Sequence, residues 1–314
     1  MGGTPVTRLL GSFSLAALLL LSSCGGGGGG GGGSSLPSSS FTPPGTVSIP
    51  SIKSNDIAVD SSNNVWIVVS GGVLKIPYGT TSCPSLTACP IISVGFTPAG
   101  IAADSSGNIW VTDDSASEVT EIKPGATSSC TSTSCTTFTS SSSSFSSPVG
   151  IAADSSGNIW VTNDISSGSV TEIKPGATSS CSSSYCTTYN GFSNPVDVAA
   201  ATAAGGVPWV ANSSGGSVVE MDTNQCLSQS GCPVIKGFQK PVSLAFDPSG
   251  NLWVLDAGTS QIIEITAGAI SSASCQSGSC YFYSLPSVPM GVATDSVGNI
   301  WVTLNSGQII KFSP

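Results

Sequence analysis

The sequence predicts an all-β protein built from six copies of one four-stranded unit. Three observations lead to this prediction. A segment that ends in a tryptophan recurs six times, its flanks alternate apolar and polar residues as strands do, and no window beyond the N-terminal segment shows the periodicity of an amphipathic helix. Because radial repetition of such units protects strand edges, these features predict a six-bladed β-propeller over residues 46–314.

The repeated segment is identical in two copies. Gly100–Thr112 and Gly150–Thr162 both read Gly-Ile-Ala-Ala-Asp-Ser-Ser-Gly-Asn-Ile-Trp-Val-Thr. Looser copies are Asp56–Trp66, Ser243–Trp253 and Gly291–Trp301, and a degenerate copy with a two-residue insertion is Asp197–Trp209. All six tryptophans of the chain occupy one position of the repeat: Trp66, Trp110, Trp160, Trp209, Trp253 and Trp301. Their spacings of 44, 50, 49, 44 and 48 residues suit one four-stranded blade each.

Each unit divides into four strands, as the second unit illustrates. Gly100–Ala103 is a small apolar strand, and the following Asp-Ser-Ser-Gly-Asn is a turn in which the Asp carboxylate can accept backbone N–H groups and Gly supplies a positive φ. Ile109–Thr112 alternates as a second strand. Ser117–Lys123 and Thr136–Thr139 are the third and fourth strands, separated by a Ser/Cys loop.

The ends of the repeat region predict how the ring closes. The sixth unit stops at Pro314 after its third strand, Gln308–Phe312, and the β-rich run Thr46–Ile49 precedes the first unit. We expect this N-terminal strand to complete the last blade. An open β-solenoid would not explain a truncated last unit together with an extra first strand.

The N-terminal 45 residues predict export and anchoring. Residues 1–23 combine Arg8 with an apolar run from Leu9 to Leu21, which is too short for a membrane span and is typical of a signal peptide. Leu21-Ser-Ser-Cys24 resembles the bacterial lipobox, which implies diacylation of Cys24 and a lipid anchor in the membrane; an ordinary signal peptide with a chance cysteine is the alternative. Residues 24–45, with nine consecutive glycines and a Ser/Pro-rich stretch, are predicted to be a flexible tether.

The remaining ten cysteines predict disulfides. They form five close pairs, one between the third and fourth strands of each of the first five units: Cys83 with Cys89, Cys130 with Cys135, Cys181 with Cys186, Cys226 with Cys232, and Cys275 with Cys280. In an exported protein this pattern favours one local disulfide per blade. Two alternatives are disfavoured. A metal site needs four ligands, and each cysteine pair supplies only two. The cysteines of redox-active dithiols are usually closer together in the sequence, at the start of a helix.

Composition excludes several functions. The chain has no His, so Ser-His-Asp or Cys-His triads and His-ligated zinc are excluded. Eight Lys/Arg against seventeen Asp/Glu give a net charge of −9, which argues against nucleic acid as a partner.

The Pro-x-Gly-Ile-Ala-x-Asp-x-x-Gly-Asn-Ile-Trp-Val-Thr pattern resembles the NHL-repeat and streptogramin-lyase-like propellers across all six units. The resemblance implies the fold. The motif itself consists of turn and packing residues, so we expect the six tryptophans and the turn aspartates Asp60, Asp104, Asp154, Asp247 and Asp295 to be structural. Streptogramin lyases are expected to use a His and a magnesium ion near the channel mouth, and without His this activity is not carried over.

A more distant resemblance to gluconolactonase-type propellers implies a metal at the channel mouth held by Glu, Asn and Asp. The residues three positions after each tryptophan should face that mouth. Four of them, with two neighbours, are candidate ligands for a Ca²⁺ or Mg²⁺ ion: Asp113, Asn163, Asn212, Asp256, Asp114 and Asp164. The alternative is that Asp and Asn are ordinary residues at strand ends.

Two functional hypotheses follow. The first is an extracytoplasmic, membrane-anchored propeller, in the periplasm or at the cell surface, that acts as a binding or scaffolding module for a protein, peptide or glycan. The second is a divalent-metal-dependent lactonase or lyase with its site at the channel mouth. A purely structural role without a specific ligand is the third possibility.

Overall fold

The computed structural model describes residues 39–40, 46–48, 55–80, 83, 88–140, 144–201, 206–221, 233–270 and 279–313. They lie in one compact unit, Ser38–Ser313. Within these ranges the regular elements are all β-strands, as the alternating sequence pattern predicts, and no α-helix occurs.

The strands group into six sheets, numbered here as blades in chain order. Two short strands precede the blades: β1 (Ser39–Ser40) and β2 (Thr46–Ser48). Blade 1 has β3 (Ile57–Val59), β4 (Val65–Val69), β5 (Gly72–Ile76) and β6 (Ile91–Ser93). Blade 2 has β7 (Ile101–Ala103), β8 (Ile109–Asp113), β9 (Glu118–Ile122) and β10 (Cys135–Ser140). Blade 3 has β11 (Pro148–Ala153), β12 (Ile159–Asn163), β13 (Gly168–Ile173) and, after the short β14 (Ser180–Cys181), β15 (Cys186–Phe192).

The second half of the chain repeats the arrangement. Blade 4 has β16 (Pro195–Ala200), β17 (Pro208–Asn212), β18 (Ser217–Glu220) and β19 (Val234–Lys236). Blade 5 has β20 (Pro241–Phe246), β21 (Leu252–Asp256), β22 (Gln261–Ile265) and β23 (Cys280–Ser284). Blade 6 has β24 (Pro289–Thr294), β25 (Ile300–Leu304) and β26 (Gln308–Phe312).

The blades close into a ring around a central channel. The first strand of each blade contacts the first strand of the next, and β24 of blade 6 contacts β3 of blade 1. The predicted closing strand is confirmed: β2 pairs antiparallel with β26, with Thr46 opposite Ile310 and Ser48 opposite Gln308. Blade 6 therefore gains its fourth strand from the N-terminal side of the chain.

The tryptophans pack between blades, as expected for structural residues. In the described residues, six apolar clusters each join two neighbouring blades. Five clusters contain the tryptophan of the first of the two blades, and in the sixth Trp253 packs against the cluster. Trp110 of blade 2, for example, packs with Ile151 and Ile159 of blade 3. Trp301 packs with Ile57 and Val65 of blade 1, so the closing interface uses the same contact as the others.

Three of the five predicted disulfides are confirmed. Cys83–Cys89, Cys130–Cys135 and Cys181–Cys186 are bonded, with Cα–Cα distances of 5.5, 5.4 and 5.4 Å. Each closes the loop between the third and fourth strands of its own blade, as the spacing of the cysteines predicts.

The other two predicted disulfides involve cysteines that the structure does not describe. Cys280 is disulfide-bonded, and its predicted partner Cys275 lies outside the described residues. Cys226 and Cys232 both lie outside the described residues. The bond between Cys226 and Cys232 in blade 4 therefore stays a prediction.

The disulfide loops also join neighbouring blades, which the sequence did not predict. In blade 3, β14 carries Cys181 and pairs in parallel with β10 of blade 2. In blade 2, the Cys130 N–H donates to Ser93 O of blade 1 at 2.8 Å. Each of these loops therefore extends the outer edge of the preceding sheet while the disulfide ties it to its own blade.

The segment that precedes the first blade makes a similar contact. Ser39–Ser40, within the stretch predicted to be a tether, pairs in parallel with β23 of blade 5. Residues 1–23, Cys24 and the rest of 24–45 lie outside the described residues.

Candidate functional site

The predicted mouth residues occupy equivalent places in four consecutive blades. Asp113, Asn163, Asn212 and Asp256 are the last residues of β8, β12, β17 and β21. All four are buried. Among the described residues, no hydrogen bond joins any of them to another of the four.

The two aspartates hold backbone turns. Asp113 Oδ1 accepts hydrogen bonds from the N–H groups of Ser115 and Ala116 at 3.0 and 3.1 Å and from Ser115 Oγ at 2.6 Å. Asp256 accepts from the N–H groups of Gln239 and Lys240, both at 2.8 Å, through its two carboxylate oxygens. It thereby fixes the connection from blade 4 into blade 5, and Gly258 N–H adds a third bond to Asp256 at 3.0 Å.

The two asparagines differ from each other. Asn163 Oδ1 accepts the Ser146 N–H at 3.0 Å, and its Nδ2 donates to Ser169 Oγ at 3.0 Å and Thr171 Oγ1 at 3.1 Å. Asn212 is 2% exposed, and its Oδ1 has no hydrogen-bond partner in the described part of the chain. Blade 4 also lacks the hydroxyl that accepts from the asparagine Nδ2 in blade 3, because the place of Thr171 is taken by Val219.

The two neighbouring aspartates are less enclosed. Asp114 is exposed. Asp164 accepts a hydrogen bond from Asn194 Nδ2 at 3.0 Å, which connects blade 3 to the loop that begins blade 4.

These contacts do not fit a preformed cation site. The oxygens of Asp113, Asn163 and Asp256 are directed at N–H donors of their own turns and connections. In the ranges that the structure describes, no three His, Cys, Asp or Glu side chains are grouped so that they could hold a metal ion. These residues therefore hold turns and connections of the framework, and a metal or ligand at this rim stays a prediction.

A second pair of carboxylates, which the sequence reasoning missed, lies in the channel. The inner strands of all six blades line a central cavity of about 170 Å³, and Asp56 and Asp197 are the only titratable residues among the described residues that line it. They stand at the start of the inner strands of blades 1 and 4, which are opposite each other in a ring of six.

Each channel aspartate bridges two blades. Asp56 accepts the N–H of Ile57 at 2.8 Å and that of Ile101, in blade 2, at 2.9 Å. Asp197 accepts the N–H of Val198 at 2.9 Å and that of Leu244, in blade 5, at 2.8 Å. The two carboxylates thus satisfy backbone donors of four inner strands.

The channel raises the pKa values of both groups. Removal from water raises the pKa of Asp197 to about 7, against the lowering effect of its hydrogen bonds from Leu244, Val198 and Ser243. Desolvation also raises the pKa of Asp56 well above its ordinary value, and the facing charge of Asp197 adds to the rise.

A pattern in the repeat could have revealed this pair. Three units begin their inner strand with a glycine whose N–H donates to a threonine two positions after the tryptophan, as Gly150 does to Thr162 Oγ1 at 2.9 Å. The units that begin with Asp56, Asp197 or Ser243 have apolar residues at that second position: Val68, Ala211 and Leu255. In the two units with a channel carboxylate, Asp therefore replaces the glycine of the inner strand and an apolar residue replaces the threonine after the tryptophan.

The turn aspartates bind the tryptophans in five blades. In each, the indole Nε1–H donates to the Asp Oδ2 that begins the turn, in the pairs Trp66–Asp60, Trp110–Asp104, Trp160–Asp154, Trp253–Asp247 and Trp301–Asp295, at 2.8, 2.9, 3.0, 3.0 and 3.2 Å. Burial alone would raise the pKa of Asp60, but the hydrogen bonds from Trp66, Asn64 and Ser62 lower it below the ordinary value. In blade 4, Ala201 takes the place of this aspartate.

The closed ring of six four-stranded blades, with its terminal strand β2 and its bridged inner strands, defines a six-bladed β-propeller. Its intrablade disulfides indicate a protein that folds outside the reducing cytoplasm. Within the described residues, no helix has the length and apolar character needed to cross a membrane.

Streptogramin lyases are among the solved structures that share this fold. A streptogramin B lyase is similar at 16% identity and a TM-score of 0.56, over 85% of this chain and 95% of that one. A catalytically inactive histidine-to-alanine variant of virginiamycin B lyase from Staphylococcus aureus, solved with quinupristin, matches at 16% identity and a TM-score of 0.52, over 85% and 87% of the two chains.

A chain from a different setting is equally similar. A chain of the nidogen/laminin complex matches at 16% identity and a TM-score of 0.57, over 71% of this chain and 79% of that one. No family model and no curated protein matches the sequence. At these identities the comparisons show the fold alone.

Proposed function

We propose that the chain is an exported, membrane-anchored propeller that binds a protein, peptide or glycan outside the cytoplasm without catalysing a reaction. The observation that supports a binding role is the hydrogen bonding at the channel mouth. The side chains best placed to act on a substrate, Asp113, Asn163 and Asp256, are engaged with N–H groups of their own turns and connections. Such groups shape a surface and are poor candidates for transferring protons.

The comparison with the lyases supports the same proposal. Replacing one histidine makes virginiamycin B lyase catalytically inactive. This chain contains no histidine, so the residue type on which that enzyme depends is absent from its sequence. A shared propeller fold carries many different activities and binding roles, and function depends on the site.

Thermal shift of the full-length protein in detergent tests the proposal. We expect at least one member of a panel of envelope glycans and peptides to raise the melting temperature in a concentration-dependent way, because a ligand that binds only the folded state stabilises it. We expect Ca²⁺ and Mg²⁺ to cause no shift and quinupristin to remain intact. Turnover of quinupristin or of a lactone that Asp113→Ala and Asp256→Ala both abolish would overturn the proposal in favour of the metal-dependent lyase or lactonase.

The anchor is tested separately. Since Cys24 follows Leu21-Ser-Ser in the lipobox-like pattern, we propose that its diacylated sulfur holds the protein at the membrane. Cys24→Ser should move the protein from the membrane fraction to the soluble fraction, while Cys181→Ser should leave it in the membrane fraction. Retention of the Cys24→Ser protein in membranes would contradict the anchor.

A further inference from the structure

Blade 4 contains a cavity where the other blades have a turn carboxylate. The cavity has a volume of about 510 Å³ and lies between blades 4 and 5. Ala201 and Trp209 line it from blade 4, and Phe246, Pro248 and Ile270 line it from the blade 5 side. Its size is within the range of small-molecule sites.

The register shows which group is missing. In blade 3, Ala153 pairs with Ile159, the residue before Trp160, and Asp154 follows Ala153. In blade 4, Ala200 pairs with Pro208, the residue before Trp209, and Ala201 follows. Ala201 therefore stands where a carboxylate accepts the indole N–H in five other blades.

Among the described residues, Trp209 consequently has an indole N–H without an acceptor. The residue is 3% exposed, and its Nε1 has no hydrogen-bond partner in the part of the chain that the structure describes. In the other blades this N–H points at the turn residue, whose equivalent Ala201 lines the cavity. An acceptor placed in the cavity can therefore receive this N–H, because Trp209 is part of the lining.

The neighbouring residues select the ligand. The walls contributed by Val207, Phe246 and Ile270 are apolar, and among the described residues the carboxylate of Glu220 is the only charged group in the lining. The net charge of −9 adds to the repulsion of anions. We propose that this cavity, called here the Trp209 cavity, binds a small uncharged apolar molecule that carries a hydrogen-bond acceptor, received by the Trp209 indole N–H. This site is independent of the ligand proposed above.

Fluorescence titration with Nile red, an uncharged apolar dye with a carbonyl acceptor, tests the inference. We expect saturable binding of one dye per chain, and at least tenfold weaker binding of the anionic dye anilinonaphthalene sulfonate. Trp209→Phe keeps an aromatic ring but removes the N–H, and should weaken Nile red binding about tenfold. Trp160→Phe is the matched control, because the Trp160 N–H is already bonded to Asp154, and it should leave dye affinity unchanged.

A second variant keeps the test valid if Trp209→Phe is poorly folded. Ala201→Leu fills the Trp209 cavity with apolar volume and should reduce Nile red affinity at least tenfold without lowering the melting temperature. The inference is overturned if Nile red does not bind, if it binds the folded Ala201→Leu variant with unchanged affinity, or if Trp160→Phe weakens binding as much as Trp209→Phe does.

Discussion

Blades 3 and 4 are neighbours with the same strand order, and they differ in the hydrogen bonds at three equivalent places: the turn, the mouth and the channel. At the turn, Asp154 of blade 3 accepts the indole N–H of Trp160, whereas blade 4 has Ala201 and the Trp209 cavity. At the mouth, Asn163 is fully bonded, whereas Asn212 Oδ1 has no partner in the described residues. Blade 4 therefore folds without the Asp–Trp hydrogen bond of the other five blades and without the Oδ1 bond of Asn163.

The third difference is in the channel, where blade 4 gains a group. The inner strand of blade 3 includes Gly150, bonded to Thr162, and that of blade 4 has Asp197 in its place, bonded to Val198 and Leu244. The two are linked, because a Cβ on Gly150 would collide with Asp197 Cα. The close approach of the two inner strands thus requires glycine at position 150, and a Cβ on Gly100 would likewise meet Val149 O of the next inner strand.

We expect the largest effect from the channel aspartates, on the pH dependence of the free energy of unfolding. The folded-state pKa of Asp197, about 7, lies above the ordinary value near 4, and that of Asp56 is raised as well. The folded state therefore binds more protons between these values, so the free energy of unfolding should fall as pH rises from about 4 to 7. Each unit of pKa shift corresponds to about 1.4 kcal/mol.

Urea unfolding followed by tryptophan fluorescence at pH 4.5, 6 and 8 measures this slope. The double variant Asp56→Ser with Asp197→Ser should flatten it. Serine suits the position, since Ser243 Oγ already accepts the Val292 N–H of the next blade at 3.1 Å. Asp114→Ser, which removes an exposed carboxylate, is the control and should keep the slope. An unchanged slope in the double variant would refute the assignment to the channel pair.

The turn difference predicts a smaller effect. Asp154→Ala would make blade 3 resemble blade 4, and it removes the acceptor of Ser156 N–H, Asn158 N–H and the buried Trp160 Nε1–H. We expect a loss of about 2–3 kcal/mol in the free energy of unfolding, since a buried unsatisfied donor costs about 1–3 kcal/mol.

Urea midpoints of Asp154→Ala and of Asp164→Ala, which removes the acceptor of one Asn194 bond, provide the comparison. The first should lose clearly more stability than the second. Equal losses would mean that the Asp–Trp bond adds nothing beyond an ordinary hydrogen bond at the surface.

The mouth difference predicts the smallest effect, and it has the opposite sign. Val219→Thr introduces into blade 4 the hydroxyl that Thr171 supplies in blade 3, within hydrogen-bond reach of the Asn212 side chain. We expect a gain of about 1 kcal/mol, the net value of a typical hydrogen bond. The reverse change Thr171→Val should cost about the same. Destabilisation by both changes would show that the two mouths are not equivalent.

The sequence predicted most of the framework correctly. The tryptophan spacing predicted six blades, the truncated last unit predicted the closing strand β2, and the close cysteine pairs predicted the three disulfides that the structure describes. These predictions succeed because turns, strands and short disulfide loops depend on residues close together in the chain. The predicted mouth residues were placed at the correct strand ends, but their hydrogen bonds to the connections between blades could not be anticipated.

The sequence by itself determined the number of blades, the strand order within each blade and the turn chemistry, because each unit carries the whole local pattern within about 50 residues. Only the tertiary structure decided that Asp56 and Asp197 share a channel, that the disulfide loops reach the preceding blade, and that Trp209 faces a cavity. These features depend on contacts such as Asp56 to Ile101 and Asp197 to Leu244, whose partners are 45 and 47 residues apart. Such contacts exist only when consecutive blades pack together, because packing brings equivalent positions of neighbouring units side by side.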